Sequence, residues 1–243
     1  MEGKLKVAMM QPTFLPWQGY FALIRQAECF IFLDDFQFSV QSYHQRNRLF
    51  INFGQVGWYT VPVKKSEAFG LNLNLIKIDN SRNWRNKLLN RLQQNYSKTK
   101  FYFEIYPIID DILGKEIDSL CALNIEIIQA IVSLFEWDVE WRFSSDFSTN
   151  SKSSQRVLEL LRWCSASGYY AAGGSFDYMK QEGIFPISDI EVMFQRFHNE
   201  SYHQKSSPEE FIPYLSVLDA LFNIGPADTA KLITANSNWL KWK

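Results

Sequence analysis

The chain has 243 residues, enough for one large domain, and its formal net charge of -1 gives no reason to expect bulk nucleic-acid binding. Hydrophobic residues make up 47% and aromatic residues 16%, so a sizeable core is expected, with rings left over for a cleft that stacks on a flat or sugar-like ligand. Cys29, Cys121 and Cys164 form an odd, widely spaced set without a CxxC pair, which argues against a disulfide framework and against a cysteine zinc site.

Glu2, Gly3 and Lys4 lead straight into a strand pattern, with no apolar stretch of the signal-peptide kind. No segment reaches the roughly 18 consecutive apolar residues of a membrane span. A cytoplasmic chain without a membrane span is therefore expected.

Leu5 to Met10 predicts a first strand that is buried on both faces. Pro12 and Pro16 force a loop, and helical spacing begins near Trp17 and continues through Tyr20, Phe21, Ile24 and Ala27. Residues 29–33 form a second apolar run that ends at Asp34 and Asp35. Strand, loop, helix and strand in this order predict a βαβ unit and a parallel sheet. Residues 48–78 alternate short strands at 49–51, 58–63 and 73–78 with Gly54, Gly57, Pro62 and Gly70, the pattern of a β-rich insertion.

Helices follow. Ser81 is a candidate N-cap for a helix with Trp84, Leu88, Leu92 and Tyr96 on one side. Phe103, Tyr106 and Ile109 suggest a second helix, and an apolar stripe from Leu120 to Phe135 a third. Strand character returns at 139–143, before a serine-rich stretch, "SSDFSTNSKSS". A helix carrying Val157, Leu160, Leu161 and Cys164 comes next, then "GYYAAGGSFDYM" and a strand at 190–194. Residues 213–235 read as helical with a break at "NIGPADT". The expected fold class is α/β, a Rossmann-like and mostly parallel sheet with a β-rich insertion and a helical subdomain. The whole is read as one domain: 1–80 and 137–200 form the sheet portion, and 81–136 and 201–243 are mainly helical.

Open α/β sheets bind ligands in the loops at the carboxyl ends of their strands. The loop after strand one presents Gln11, Trp17, Gly19 and Tyr20. Trp17 and Tyr20 offer ring faces, Gly19 permits close backbone approach, and the following helix N-terminus favours an anion. Alternatively, these aromatic residues staple the loop onto the core.

The loop after strand two, "LDDFQFSVQSYHQRNRL", brings Asp34, Asp35, Gln37, Arg46, Asn47 and Arg48 close in sequence. Paired carboxylates can supply a general base, bind a metal with bridging phosphates, or orient a hydroxyl or an amine. They can equally cap a strand or pair with Arg46 or Arg48. Gly173 and Gly174 form a turn able to cradle a phosphate, with Tyr178 one helical turn on, although a plain tight turn has the same sequence. His44, His198 and His203 are too scattered for metal-ligand spacing. His203, near a strand end, is a candidate acid or base. No P-loop or GxSxG elbow is present, no metal site is expected, and the cofactor stays unknown at this stage.

"QPTFLPWQGYF" at 11–21, "FIFLDDFQF" at 30–38, "QRNRL" at 45–49, "GWYTVPV" at 57–63, "GYYAAGGSFDYM" at 168–179 and "LSVLDALFNIG" at 215–225 together resemble the ordered motifs of the WbqC-like family. Phe14 stands where tyrosine is usual. The resemblance implies a setting in bacterial O-antigen and other surface-polysaccharide synthesis, beside other enzymes of that synthesis. "PWQGY" is also similar to the H-x-G-H region of nucleotidyltransferases, but Trp17 and Tyr20 replace its histidines, so that mechanism does not carry over.

On this reading the chain is a transferase. It would modify a nucleotide-linked amino sugar by acyl or aminoacyl transfer to the amino group. Asp35 would be the base and Asp34 would orient it. Arg46 and Arg48 would hold phosphate, while Gln11 and Asn47 would read polar substituents and Trp17 and Tyr20 would stack. The alternatives are a non-catalytic nucleotide- or carbohydrate-binding scaffold and, from the second resemblance, a nucleotidyltransferase-like enzyme with altered H-x-G-H chemistry.

Overall fold

The computed structural model describes residues 5–64, 68, 70–207 and 210–242, so Glu2, Gly3 and Lys4 lie outside the described residues. β1 (Leu5–Met10), α1 (Gln18–Gln26) and β2 (Cys29–Phe32) form the expected βαβ start, with β1 and β2 parallel. A hairpin of β3 (Arg46–Asn52) and β4 (Gln55–Thr60) follows, turning at Gly54 with a positive φ of 73°. Three helices come next: α2 (Trp84–Tyr96), α3 (Tyr102–Gly114) and α4 (Leu120–Leu134). The chain then re-enters the sheet through β5 (Glu140–Phe143), α5 (Ser153–Trp163), β6 (Ala166–Ala171), α6 (Phe176–Glu182) and β7 (Glu191–Phe197). It closes with α7 (Val217–Ala235) and β8 (Ser237–Lys241).

The main sheet has the order β5-β2-β1-β6-β7-β8. All neighbours are parallel except β7 and β8. From β1 the chain first moves to one side, to β2, and later fills the other side with β6. The order therefore reverses between β1 and β6, where a doubly wound sheet leaves a crevice at its carboxyl edge.

Strand alternation sorts two cores. Ala8, Phe30 and Phe32 face α1, α4 and α7, whereas Val7, Met9, Cys29 and Ile31 face α5 and α6. Seven of the nine α1 residues are buried, because the helix is wedged between the sheet and α7. The three cysteines are free and buried.

Several local expectations fail for identifiable reasons. Residues 73–78 carry a short 3₁₀ turn at Leu73–Leu75 in place of a strand. The Leu73 and Asn74 N–H groups bond the carbonyls of Phe36 and Asp34, leaving no continuous ladder. Ser81 does not cap α2; its hydroxyl and N–H bond Asp79, and the helix starts at Trp84 after Asn83. In α3 the buried positions are Tyr102, Ile105, Ile109, Ile112 and Leu113, while Phe103 is exposed. β8 has no apolar run to announce it, and as an antiparallel edge strand it needs burial on one side only.

Candidate functional site

The 11–17 loop is held open by side-chain amides. Asn47 Nδ2 donates to the carbonyls of Phe14 (3.2 Å) and Leu15 (2.7 Å), and its Oδ1 accepts from the Arg48 N–H. Asn124 Nδ2, from α4, donates to the carbonyls of Pro12 (3.1 Å) and His44 (2.8 Å). Two backbone bonds fix the far end, from Val217 N–H to Pro16 O and from Phe14 N–H to Tyr43 O. Leu15, with φ at 46°, sits in the left-handed region that these bonds impose. Two prolines and a strained leucine therefore form an ordered rim.

Inside that rim lies a cleft of about 640 Å³ at the carboxyl end of β1. Trp17, Tyr20, Tyr43 and Tyr214 supply its rings, and Gln11, His44 and Asn47 its principal polar groups, with Ser39 and Ser42 alongside. Among the described lining residues none is an acid, a lysine or an arginine. The Trp17 ring lies flat over Gly19, where a Cβ would come within 2.3 Å of it, and meets Phe197 and Tyr214 edge-on. Gly19 therefore makes room for the Trp17 ring, whereas the sequence suggested room for a ligand.

His44 is buried, and burial pushes its imidazole down to about 4, so it is neutral at pH 7. The Ser39 N–H donates to Nδ1 (3.3 Å), which places the proton on Nε2 and directs it to Gln11 Oε1 at 3.3 Å. The Gln11 carbonyl is thereby occupied. Tyr20 is almost wholly buried, burial raises its phenol well above the usual range, and its hydroxyl has no partner among the described residues.

Gln11, Trp17, Tyr20 and Asn47 thus share one cleft, and the other expected site residues do not line it. Asp34 accepts from Ser144 Oγ (3.2 Å), Ser145 N–H (3.0 Å) and Ser145 Oγ (2.7 Å). Asp35 accepts from Ser144 Oγ and forms an ion pair with Arg156, an arginine of α5. The loop after β2 is therefore tied sideways to the β5 end by the serine-rich segment, which grips the carboxylates. Neither Arg46 nor Arg48 is the partner of Asp35.

Alternation along β3 turns Asn47 inward and Arg46 and Arg48 away from it. Arg46 stacks on Trp58 at 4.2 Å, and Arg48 reaches the Pro213 carbonyl. Gln37 and His203 are exposed. Gly173 is pressed against the Gln195 carbonyl, where a Cβ would sit at 2.5 Å, so it serves packing against β7. Gly174 and Tyr178 belong to a separate hollow of about 390 Å³ beside α5, which shares Met10 and Gln11 with the ring cleft.

His44, Tyr43, Ser39, Ser42 and Tyr214 line the cleft without having been expected there. His44 had a signal, since it precedes Asn47 by three residues in a polar stretch. Tyr214 had none, because it comes from the segment just ahead of α7, far along the chain. Among the described residues no helix is long and apolar enough to cross a membrane.

A protein of Mycobacterium tuberculosis described as "Uncharacterized protein Rv1507c" is 30% identical over 222 residues, covering 90% of this chain and 94% of that protein. No solved structure matches the chain. The model of the WbqC-like protein family matches residues 11–231, a span that takes in the ring-cleft lining except Met10 and four of the six strands of the main sheet. The chain belongs to the WbqC-like protein family.

Proposed function

We propose that the chain is a transferase that modifies the sugar of a nucleotide-linked amino sugar by acyl or aminoacyl transfer to its amino group, in bacterial surface-polysaccharide synthesis. The observation that carries this reading is the ring cleft itself. Its rings and its uncharged donors and acceptors suit a hydroxylated ring, and its volume of about 640 Å³ suits a small molecule. The polysaccharide setting is what the family resemblance implies.

The attacking amine has to be neutral. A partly dry cleft with no carboxylate among its described lining residues disfavours the ammonium form, which supports attack without a side-chain base. The amine nitrogen bonds to the acyl carbon, the bond to the donor's leaving group breaks, and the amine proton passes to that leaving group. Gln11, whose carbonyl is held by His44, is the cleft's amide donor for the oxyanion.

A second reading, a binding scaffold without chemistry, is favoured by one observation: Asp34, Asp35 and both nitrogens of His44 already have partners. Incubating the protein with a uridine-diphosphate-linked amino sugar and acetyl-coenzyme A, followed by mass analysis, separates the two. A mass gain of one acyl group, lost in Gln11→Ala, supports the transferase. Binding of the sugar nucleotide with no mass gain from any acyl or aminoacyl donor supports the scaffold. Absence of binding removes both.

A further inference from the structure

A second cleft, of about 600 Å³, opens on the other side of the loop that carries His44, and its chemistry is the reverse of the first. Arg46, Lys64 and Arg82 reach it against one carboxylate, Asp79. Asp79 is already engaged, by the Ser81 N–H at 3.2 Å, by the Ser81 hydroxyl and by Arg82 Nε at 3.2 Å. Arg46 and Lys64 have no carboxylate partner among the described residues.

The Arg46 guanidinium is held over the Trp58 ring, 4.2 Å from its centre. Stacking occupies the face of the planar fork and leaves its in-plane N–H groups for acceptors. Its Nε is shut off from water and has no acceptor among the described residues. With Nε enclosed, the terminal nitrogens of a fork fixed on a ring, in a cleft that Lys64 also lines, match two oxygens of a phosphate group. Trp58 packs in turn on Tyr43, whose ring lines the first cleft, so one loop separates an uncharged pocket from a cationic one.

We propose that this second cleft is a binding site for a phosphate or diphosphate group, with Arg46 as the two-pronged donor and Lys64 and Arg82 supplying charge. The proposal goes beyond the reading of the ring cleft and stands without it. The group has two sources with the same chemistry, a free phosphate compound or the diphosphate of a nucleotide-linked ligand whose sugar enters the ring cleft.

Calorimetric titration with inorganic pyrophosphate tests the site. The wild type should bind it, with affinity falling as salt rises. Arg46→Met, which keeps the stem over Trp58, should weaken binding at least tenfold, and adding Lys64→Met should abolish it. Lys64→Met alone, a change at an exposed side chain, gives a second variant that does not disturb the Trp58 stack. Melting curves confirm that each variant is folded. Uridine-diphosphate N-acetylglucosamine provides the second arm. Tighter binding than pyrophosphate, weakened by both Arg46→Met and Gln11→Ala, identifies the nucleotide-linked source. Equal affinity that ignores Gln11→Ala identifies a free phosphate compound, and leaves the site standing while the sugar reading falls. No pyrophosphate binding by the wild type, or an unchanged affinity in the folded double variant, overturns the proposal.

Discussion

The loops after β1 and β2 leave adjacent parallel strands at the same edge of the sheet, yet they end in opposite states. The β2 loop is closed at its start, where Asp34 and Asp35 have their carboxylate oxygens taken by Ser144, Ser145 and Arg156. The β1 loop is open. Its backbone carbonyls are satisfied by Asn47 and Asn124, and Trp17, Tyr20, Tyr43 and Tyr214 turn their rings to a cleft that Gln11 also lines. Charge that is fully hydrogen-bonded stabilises and positions, whereas an uncharged cleft lined by rings is open to a ligand. The difference teaches that an acidic pair in sequence is a poor guide to a site until its partners are known.

The comparison breaks hardest under acid, on the cleft side. The folded state holds His44 near 4 while the unfolded chain titrates near 6.5, so the unfolded state binds the proton first as pH falls. The stability carried by neutral His44 is complete above pH 6.5 and is lost progressively down to pH 4, about 3 kcal/mol in all. Urea unfolding at pH 7 and pH 4 should show this loss in the wild type. A His44→Gln variant should lose that much less over the same range, and equal losses in the two proteins would contradict the assignment.

Asn47→Ala comes next. It leaves the Phe14 and Leu15 carbonyls and the Arg48 N–H without their partner, at a cost of about 2–3 kcal/mol. The cleft rim should loosen with it, read as faster hydrogen exchange across residues 11–17 than across β6.

On the closed side, Arg156→Met strands Asp35. The two side chains are 15% and 19% exposed, so the loss should be about 2 kcal/mol, between the exposed and the fully buried limits. A calorimetric melting temperature lowered by several degrees is expected, with ligand affinity kept.

Much of this contrast was legible in the sequence, though not its sign. The βαβ start and the parallel sheet follow from apolar runs and breakers whose periods are unambiguous in β1, α1 and β2. Gln11, Trp17, Tyr20 and Asn47 were legible as neighbours, because loops after adjacent strands meet at one edge. The fate of Asp34 and Asp35 was hidden, since their partners lie more than a hundred residues away, in a serine-rich stretch that reads as a solvated linker and in the helix after it. The direction of Arg46 and Arg48 needed only the strand boundary of β3. With the strand read as beginning at Leu49, alternation could not be applied to them.

The smallest stability change belongs to Gln11→Ala, below about 1 kcal/mol, because Gln11 is half-exposed and bonds one partner. Paired with Asp35→Asn, it tests the central claim, that the open β1 loop binds the ligand and the closed β2 loop holds the fold. Affinity for uridine-diphosphate N-acetylglucosamine and the melting temperature are measured on the same preparations of both variants. The account predicts that Gln11→Ala loses at least tenfold in affinity with its melting temperature nearly kept, while Asp35→Asn melts several degrees lower and binds as the wild type does. Loss of binding in Asp35→Asn with an unchanged melting temperature, and full affinity in Gln11→Ala, would contradict it.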